Sequence, residues 1–269
     1  MPTPFQALIL GLLQGLAEFL PISSSAHLAL APWLFHWSDP GLSFDVALHF
    51  GTLLAVVWYF RNEWLSLIRA AWQIMTTRKI VTIEQKRAAF LVVATIPGGI
   101  FGLLLEKKAE TAFRNPALIA CALIILGILL WLADRAARTD RPLTEMTWRD
   151  SIFIGLAQAF ALVPGVSRSG STITAARALG LDRNAAAAFS FLLSMPIIAG
   201  AVILKGPHLL HESGMTTPLL VGIVASAVSG WLAISVLVKF VSRHSYGAFA
   251  LYRVLLGVAV LAIYFVRGG

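Results

Sequence analysis

The sequence predicts an all-α polytopic membrane protein, with six transmembrane helices plus two re-entrant helical hairpins in an inverted-topology repeat. Three observations predict it. Of 269 residues, 58% are hydrophobic and only 13% charged, with a mean hydropathy of +0.81, a balance unlike that of an ordinary soluble enzyme. Six stretches are apolar over the length of a bilayer crossing, about 20 residues of helix with about 17 to 25 tolerated. Two more apolar stretches are interrupted or too short, and the motifs that interrupt them resemble each other.

Taken in chain order, the first element is Thr3 to Leu20, which is broken by Glu18 and followed at once by "PISSS". It reads as one arm of a re-entrant hairpin over 3–34. No basic stretch precedes the apolar run, so a cleaved secretory signal is not expected. Spans at Leu42 to Phe60, Ala88 to Leu105 and Ala117 to Ala133 complete a first repeat, 1–134. Between the first two of these, Asn62 to Met75 mixes Trp and Leu with Glu63 and Arg69, the pattern of a helix lying along the cytoplasmic surface. Ser151 to Val163 has about 13 residues, which at about 1.5 Å each reach only about 20 Å. It runs into "PGVSRSGST" and reads as the second hairpin, 151–180. Spans at Ala185 to Lys205, Pro218 to Val238 and Ala248 to Val266 then complete a second repeat, 148–269, within a single membrane domain. Trp33, Trp37, Trp58, Trp64, Trp72, Trp131 and Trp148 fall at span ends or loops, as an interfacial belt requires. The single cysteine, Cys121, excludes an internal disulfide. Gly127, Gly222, Gly230 and Gly257 permit close helix contacts without defining an oligomerisation motif; a homodimer is compatible with the sequence.

Because each hairpin returns to the side it entered, six spans leave both termini on one face. Segments facing the other side carry thirteen basic residues: Arg61, Arg69, Arg78, Lys79, Lys86, Arg87, Arg135, Arg138, Arg141, Arg149, Arg183, Lys239 and Arg243. The terminal side carries five: Lys107, Lys108, Arg114, Lys205 and Arg267. The positive-inside rule then puts both termini outside the cytoplasm. Arg168, Arg177 and Arg253 stand within or near the membrane, and Arg253 reads as snorkelling from the start of its span. The net charge of +8 follows from this topology rather than from nucleic-acid binding, since there is neither a basic domain nor an aromatic stacking pattern.

"GLLQGLAEFLPISSSAHL" from Gly11 aligns without a gap on "GLAQAFALVPGVSRSGST" from Gly155. Gly, Leu and Gln match, and Ser23 and Ser25 fall on Ser167 and Ser169. Three spans separate the two hairpins, and an odd number of crossings inverts the second copy. Irregular backbone at membrane depth is tolerated only where protein or a water-filled cavity satisfies it, so the two breaks should share one polar pocket. The serines there are expected to cap the following helices, Ser23 or Ser24 before Ala26 and Ser169 or Ser171 before Ile173. Helix N-termini would then face the pocket and favour an anion.

Glu18, His27 and Arg168 are the sharpest candidates for chemistry, because a charge inside the membrane is costly unless paired or hydrated. Glu18 can orient or deprotonate a partner, or bind a divalent ion that bridges phosphate oxygens; the sequence leaves these open. His27 can move a proton near neutral pH. In the second motif Gly165 and Gly170 allow tight backbone, Ser167, Ser169, Ser171 and Thr172 offer hydroxyls, and Arg168 offers a planar fork that matches phosphate oxygens. The motif is not a Walker loop. Among Ser23, Ser24 and Ser25 is a candidate nucleophile, which needs an activating base or metal. Asp45 and His49 share a helix face and are candidates for structural pairing or for lining the pocket.

The two motifs "QGLAEFLPISSSAHL" and "PGVSRSGST" resemble the signature regions of the undecaprenyl pyrophosphate phosphatases, the bacitracin-resistance family of bacterial inner-membrane proteins. The resemblance implies hydrolysis of undecaprenyl pyrophosphate to undecaprenyl phosphate and inorganic phosphate, recycling the carrier lipid of cell-wall synthesis. It also implies a divalent cation, Mg²⁺ or Ca²⁺, and a site open to the periplasmic side. Carried over, Glu18 matches the essential motif carboxylate and metal ligand, Ser24 the proposed nucleophile, and His27 the motif histidine. Ser167, Arg168 and Thr172 match the phosphate-binding turn, with Ser23, Ser25, Ser169 and Gly170 beside them. Gln14 stands where the family often has a second glutamate; it can still hydrogen-bond a phosphate or coordinate through its carbonyl. Two other readings compete. Inverted repeats with broken helices also suit a lipid-phosphate transporter. The phosphatidic-acid-type phosphatases share fragments such as "SSSAH", but their upstream Lys/Arg signature is missing.

Overall fold

The computed structural model describes residues 2–110, 115–137 and 140–268, with side chains at 42, 105–110 and 208–213 left aside. The described residues form eleven α-helices: α1 (Pro4–Phe19), α2 (Ser24–Phe35), α3 (Leu42–Tyr59), α4 (Arg61–Thr77), α5 (Ile83–Glu110), α6 (Pro116–Ala136), α7 (Trp148–Ala159), α8 (Arg168–Ala178), α9 (Arg183–Ser213), α10 (Thr217–Val241) and α11 (Gly247–Val266). Of these, α5, α6, α9, α10 and α11 are each long and apolar enough to cross a membrane. The pair α3–α4 makes a sixth, bent by 84° at the break between them. The protein is therefore a multi-pass α-helical membrane protein, and the six apolar stretches of the sequence each correspond to one of these helices.

Both short stretches break where expected. Helix α1 opens on Thr3, which caps Gln6 N while the Gln6 side chain returns to Thr3 N, and ends at Phe19 ahead of the Leu20–Ser23 turn. Helix α7 opens on the reciprocal Thr147/Asp150 pair and passes through a short 3-10 turn, Phe160–Leu162, before the break that precedes α8. The sharply bent pair is not one of these two elements but α3–α4. Helix α4 turns its Leu67 and Ala70 inward and leaves Leu65, Ile68, Trp72 and Met75 exposed, the two-faced pattern read from its sequence.

The two short elements pack chiefly on helices distant in the chain, α1 along α10 and α7 along α5, while α6 lies against α11 and α3 against α10 and α9. Small residues permit the close approaches. A Cβ on Gly11 would meet Gly222 and Ala225, one on Gly15 would meet Ser229, Ser226 and Gly230, and one on Gly155 would meet Ala94. Such small-residue seams substitute for the hydrophobic drive that lipid cannot provide.

Behind the breaks lies a core in which Phe19 meets Phe191 edge-on at 5.5 Å and Phe60 approaches the same ring at 6.2 Å. A second charged cluster sits away from the breaks. Buried Asp134 receives Arg177 Nε and Arg183 Nε, each at 2.9 Å, and Tyr246 N at 3.0 Å, which ties α6, α8, α9 and the start of α11 together. Arg177, embedded as the sequence suggested, is thus part of a paired structural network.

Candidate active site

The two breaks adopt the same local backbone. Ser23 has φ 76° and ψ 92°, and Ser167 has φ 72° and ψ 119°, left-handed territory that a residue with a side chain rarely enters. Each then caps its helix: Ser23 Oγ accepts from Ala26 N at 3.3 Å, and Ser167 Oγ from Gly170 N at 3.0 Å. Each also lies 3.2 Å from the hydroxyl two residues on, Ser25 or Ser169. In the second motif the cap is therefore Ser167, not Ser169 or Ser171 as expected. The reason is that the chain reverses one turn earlier: Gly165 takes φ 96°, and Arg168 already begins the helix.

The breaks bond to each other. Gly165 N donates to Ser23 Oγ at 3.2 Å, and Ser169 Oγ donates to the Leu20 carbonyl at 3.0 Å. Through these contacts the last turn of α1 and the first turns of α2 and α8 converge on Glu18. Its Oε1 accepts from Arg168 Nη2 at 3.0 Å. Its Oε2 accepts from Ser24 Oγ at 2.7 Å and from Gln14 Nε2 at 3.1 Å, with His49 Nε2 3.4 Å away. Both Glu18 and Gln14 are buried. The Arg168 fork is held open by a second bond, Nη1 to the Ser190 carbonyl at 2.7 Å. Thr172 Oγ1 braces the same place, 2.8 Å from both the Arg168 carbonyl and Ser190 Oγ.

A cavity of about 280 Å³ opens onto this cluster. Its lining combines polar groups, Glu18, Ser24, Ser25, Asp45, His49, Gln158, Ser167 and Arg168, with apolar ones that include Leu162, Pro164, Ile197, Ile198 and Ala201. Pro97 and Pro196 stand inside α5 and α9, next to the lining residues Gly98 and Ile197. The predicted site residues thus divide in three. Glu18, Ser24, Ser25, Ser167 and Arg168 line the cavity. Gln14, Ser23, Ser169, Gly170 and Thr172 stand behind it and shape its wall. His27 does neither: its Nδ1 is 2.7 Å from the Ser23 carbonyl and its Nε2 2.7 Å from Tyr252 Oη, with the two rings stacked at 5.8 Å. The histidine at the carboxylate is His49, oriented by its Nδ1 at 2.7 Å from the Asp45 carbonyl. Its spacing of four from Asp45 was the sequence signal for it.

Arg253 departs from its expected place. It does not snorkel; it is fully buried and hydrogen-bonded to backbone carbonyls of both breaks. Nothing in the apolar sequence of α11 shows that carbonyls orphaned elsewhere lie within its reach.

Chemically, a hydroxyl sits in hydrogen-bond contact with a buried carboxylate, next to an arginine fork and two helix N-termini. That arrangement suits an anionic phosphoryl group and a nucleophile with an adjacent base. Residues 7–259 match the family described as bacitracin resistance protein BacA. The chain is 60% identical over 260 residues to an undecaprenyl-diphosphatase of Gemmatimonas aurantiaca, covering 97% of each chain. It is 49% identical over 261 residues to the one from Pelotomaculum thermopropionicum, again covering 97% of each, and 48% identical over 272 residues to that of Moorella thermoacetica, covering 98% of this chain and 99% of the relative. With likeness running the whole length and the two signature motifs meeting in one cavity, the chain belongs to the bacitracin resistance protein family.

Proposed function

We propose that the cavity between the two breaks is where this membrane protein hydrolyses undecaprenyl pyrophosphate. The products are undecaprenyl phosphate and inorganic phosphate, which recycles the lipid carrier for cell-wall synthesis and underlies bacitracin resistance. The single observation that carries the site assignment is the Ser24–Glu18–Arg168 contact, in which residues 150 positions apart put a hydroxyl, a base and a phosphate-binding fork on one cavity wall.

Arg168 and the N-termini of α2 and α8 bind the pyrophosphate oxygens, and the apolar lining residues take the first part of the lipid tail. Ser24 Oγ attacks the terminal phosphorus as its proton passes to Glu18 Oε2. The bond from that phosphorus to the bridging oxygen breaks, and undecaprenyl phosphate leaves. Water then cleaves the phosphoserine, giving inorganic phosphate and restoring the hydroxyl. Positioning and electrostatic stabilisation supply most of the rate in such a scheme. His27 touches no reacting group: its ring nitrogens face the Ser23 backbone carbonyl and Tyr252 Oη, so its part is to hold the first break.

A divalent cation, Mg²⁺ or Ca²⁺, would have Glu18 as its protein ligand on the cavity wall, in exchange for one of that carboxylate's present partners. Glu18 offers a buried carboxylate, and Gln14 Oε1 is buried beside it with no hydrogen-bond partner. Among the described residues no group of three His, Cys, Asp or Glu forms a cage, but Mg²⁺ is commonly held by one or two carboxylates plus substrate phosphates. Bound there, it would neutralise charge on the phosphate oxygens.

The two halves are read as inverted repeats, 1–134 and 148–269. Supporting this are the matched Ser23 and Ser167 backbones and the exchange of partners in which α1 lies on α10 and α7 on α5. Both termini are assigned to the periplasmic side of the bacterial inner membrane on the imbalance of basic residues between the two faces, and the cavity mouth to the same side on the family resemblance.

Purified protein in detergent is expected to release phosphate from undecaprenyl pyrophosphate, to stop on addition of EDTA, and to recover with Mg²⁺ or Ca²⁺. No release with either ion overturns the assignment; headgroup movement in sealed liposomes without hydrolysis would identify a carrier. Ser24→Ala is expected to lose at least about 100-fold in turnover, with a phosphoserine trapped only in the unmodified protein. Full activity of Ser24→Ala would transfer the attack to water.

A further inference from the structure

We propose that Arg253 is a positioning residue: it ties the backbone carbonyls of the two breaks together, so that Glu18 and Ser24 from one face Arg168 from the other. The proposal rests on the site assignment above and adds a residue that touches neither substrate nor any reacting atom.

Arg253 lies seven residues into α11 and is fully buried. Its Nη1 donates to the Pro21 carbonyl at 3.1 Å, in the break after α1. Its Nη2 donates to the Gly165 and Val166 carbonyls at 2.8 and 3.0 Å, in the break before α8. Its Nε reaches the Leu123 carbonyl of α6 at 3.3 Å. Among the described residues it forms no ion pair. A buried cation without a carboxylate is expensive unless dipoles satisfy it, and here every dipole comes from backbone at a break or from α6. Those carbonyls need a donor in turn, because a broken helix leaves them without intrahelical partners. One guanidinium thus meets both needs, and its rigid fork fixes the distance between the breaks.

That distance governs the site. Pro21 lies two residues from Ser23 and three from both Glu18 and Ser24; Gly165 and Val166 lie within three of Arg168. The would-be Cβ of Gly170 falls against Arg253 Nη1, so the cap of α8 is built around the same group. Next to Arg253, Tyr252 holds His27 of α2, and α11 therefore grips both breaks and the helix following the first. Lysine cannot replace this: its single ammonium has no planar fork to span carbonyls on separate segments.

The test uses Arg253→Met, which keeps the apolar stem and removes the fork, and Arg253→Lys, which keeps the charge. In Arg253→Met, turnover of undecaprenyl pyrophosphate is expected to fall by about 100-fold, the scale of a misplacement of about 1 Å. KM should change by less than about threefold, because Arg168 and the helix ends that bind the headgroup remain. Hydrogen exchange in detergent should rise together in peptides covering 20–27 and 163–171. Wild-type turnover in folded Arg253→Met, or unchanged exchange at both breaks, overturns the proposal. If Arg253→Met does not fold, Arg253→Lys decides: reduced turnover with raised exchange supports positioning, while full turnover of the folded protein shows a merely structural arginine. Should the wild type fail to hydrolyse the lipid, the site assignment falls, and the exchange arm still tests the tie.

Discussion

Arg168→Ala is expected to lower turnover by about 1,000-fold or more, the range seen when a preorganised donor or arginine clamp is removed from a phosphoryl-transfer site. The side chain is 11% exposed, enough to meet a ligand in the cavity, and its fork is preset by Glu18 on one nitrogen and the Ser190 carbonyl on the other. Preset geometry matters because the cost of ordering a long side chain is already met before substrate arrives. Alanine removes both the anion contact and the partner of Glu18 Oε1. Arg168→Lys should recover only part of the loss, since an ammonium cannot hold both protein oxygens and still present a fork to phosphate. Steady-state phosphate release, with size-exclusion behaviour as the check on insertion and folding, measures the effect. Near wild-type turnover would remove Arg168 from the catalytic account.

Glu18→Gln should be nearly as severe, with turnover down by about 1,000-fold, equivalent to about 4 kcal/mol of lost transition-state stabilisation. The amide preserves the shape and can still accept hydrogen bonds, but it cannot take the Ser24 proton or pair its charge with Arg168. Breaking a buried pair from one side also costs stability, about 3–5 kcal/mol in other proteins. For that reason the measurement compares thermal unfolding with turnover: the turnover loss must persist in protein that remains folded below its midpoint. A folded Glu18→Gln with more than about a tenth of wild-type activity would exclude proton transfer to this carboxylate as a major contribution. The two substitutions touch one contact, so their effects should be far from additive.

Glu18 and Arg168 differ from the other buried ion pairs in their surroundings. Asp134 is shared between Arg177 and Arg183 in a cluster at the far end of α8, and Asp150 pairs with Arg141 at the start of α7. Both clusters join helix ends. Asp134, Arg177 and Arg183 also line a cavity, of about 390 Å³, but its lining is mainly charged and polar, whereas the cavity at Glu18 and Arg168 adds Leu162, Pro164, Ile197, Ile198 and Ala201. That combination of charged and apolar lining residues is what a prenyl pyrophosphate requires.

Much of this was legible in the sequence because bilayer physics leaves few alternatives. An apolar run of the right length must be helical, since lipid offers no partners for backbone groups, and all six apolar runs recur as helices. The breaks were legible for the converse reason: "PISSS" and "PGVSRSGS" place prolines, glycines and capping serines where a helix of insufficient length must end. Ser23 on Ser167 followed from the alignment of the motifs, and the structure gives the pair the same positive φ and the same cap. The bend between α3 and α4 was legible from composition rather than from a breaker residue: a span ending at Phe60 and an amphipathic segment from Asn62 require a turn there, and the two helices meet at 84°.

What the sequence by itself determined was the class of protein, the positions of the breaks and the residue types concentrated there. These depend on hydropathy and local backbone preference, which act over a few turns of chain. The tertiary structure alone decided which of those residues meet. It turned His27 toward Tyr252 and brought His49 to Glu18, moved the second cap to Ser167, and carried Arg253 inward to carbonyls 87 to 232 residues away in sequence. Such choices turn on the unpaired donors and acceptors left after every helix has packed. They depend on distances across the bundle that no local pattern encodes.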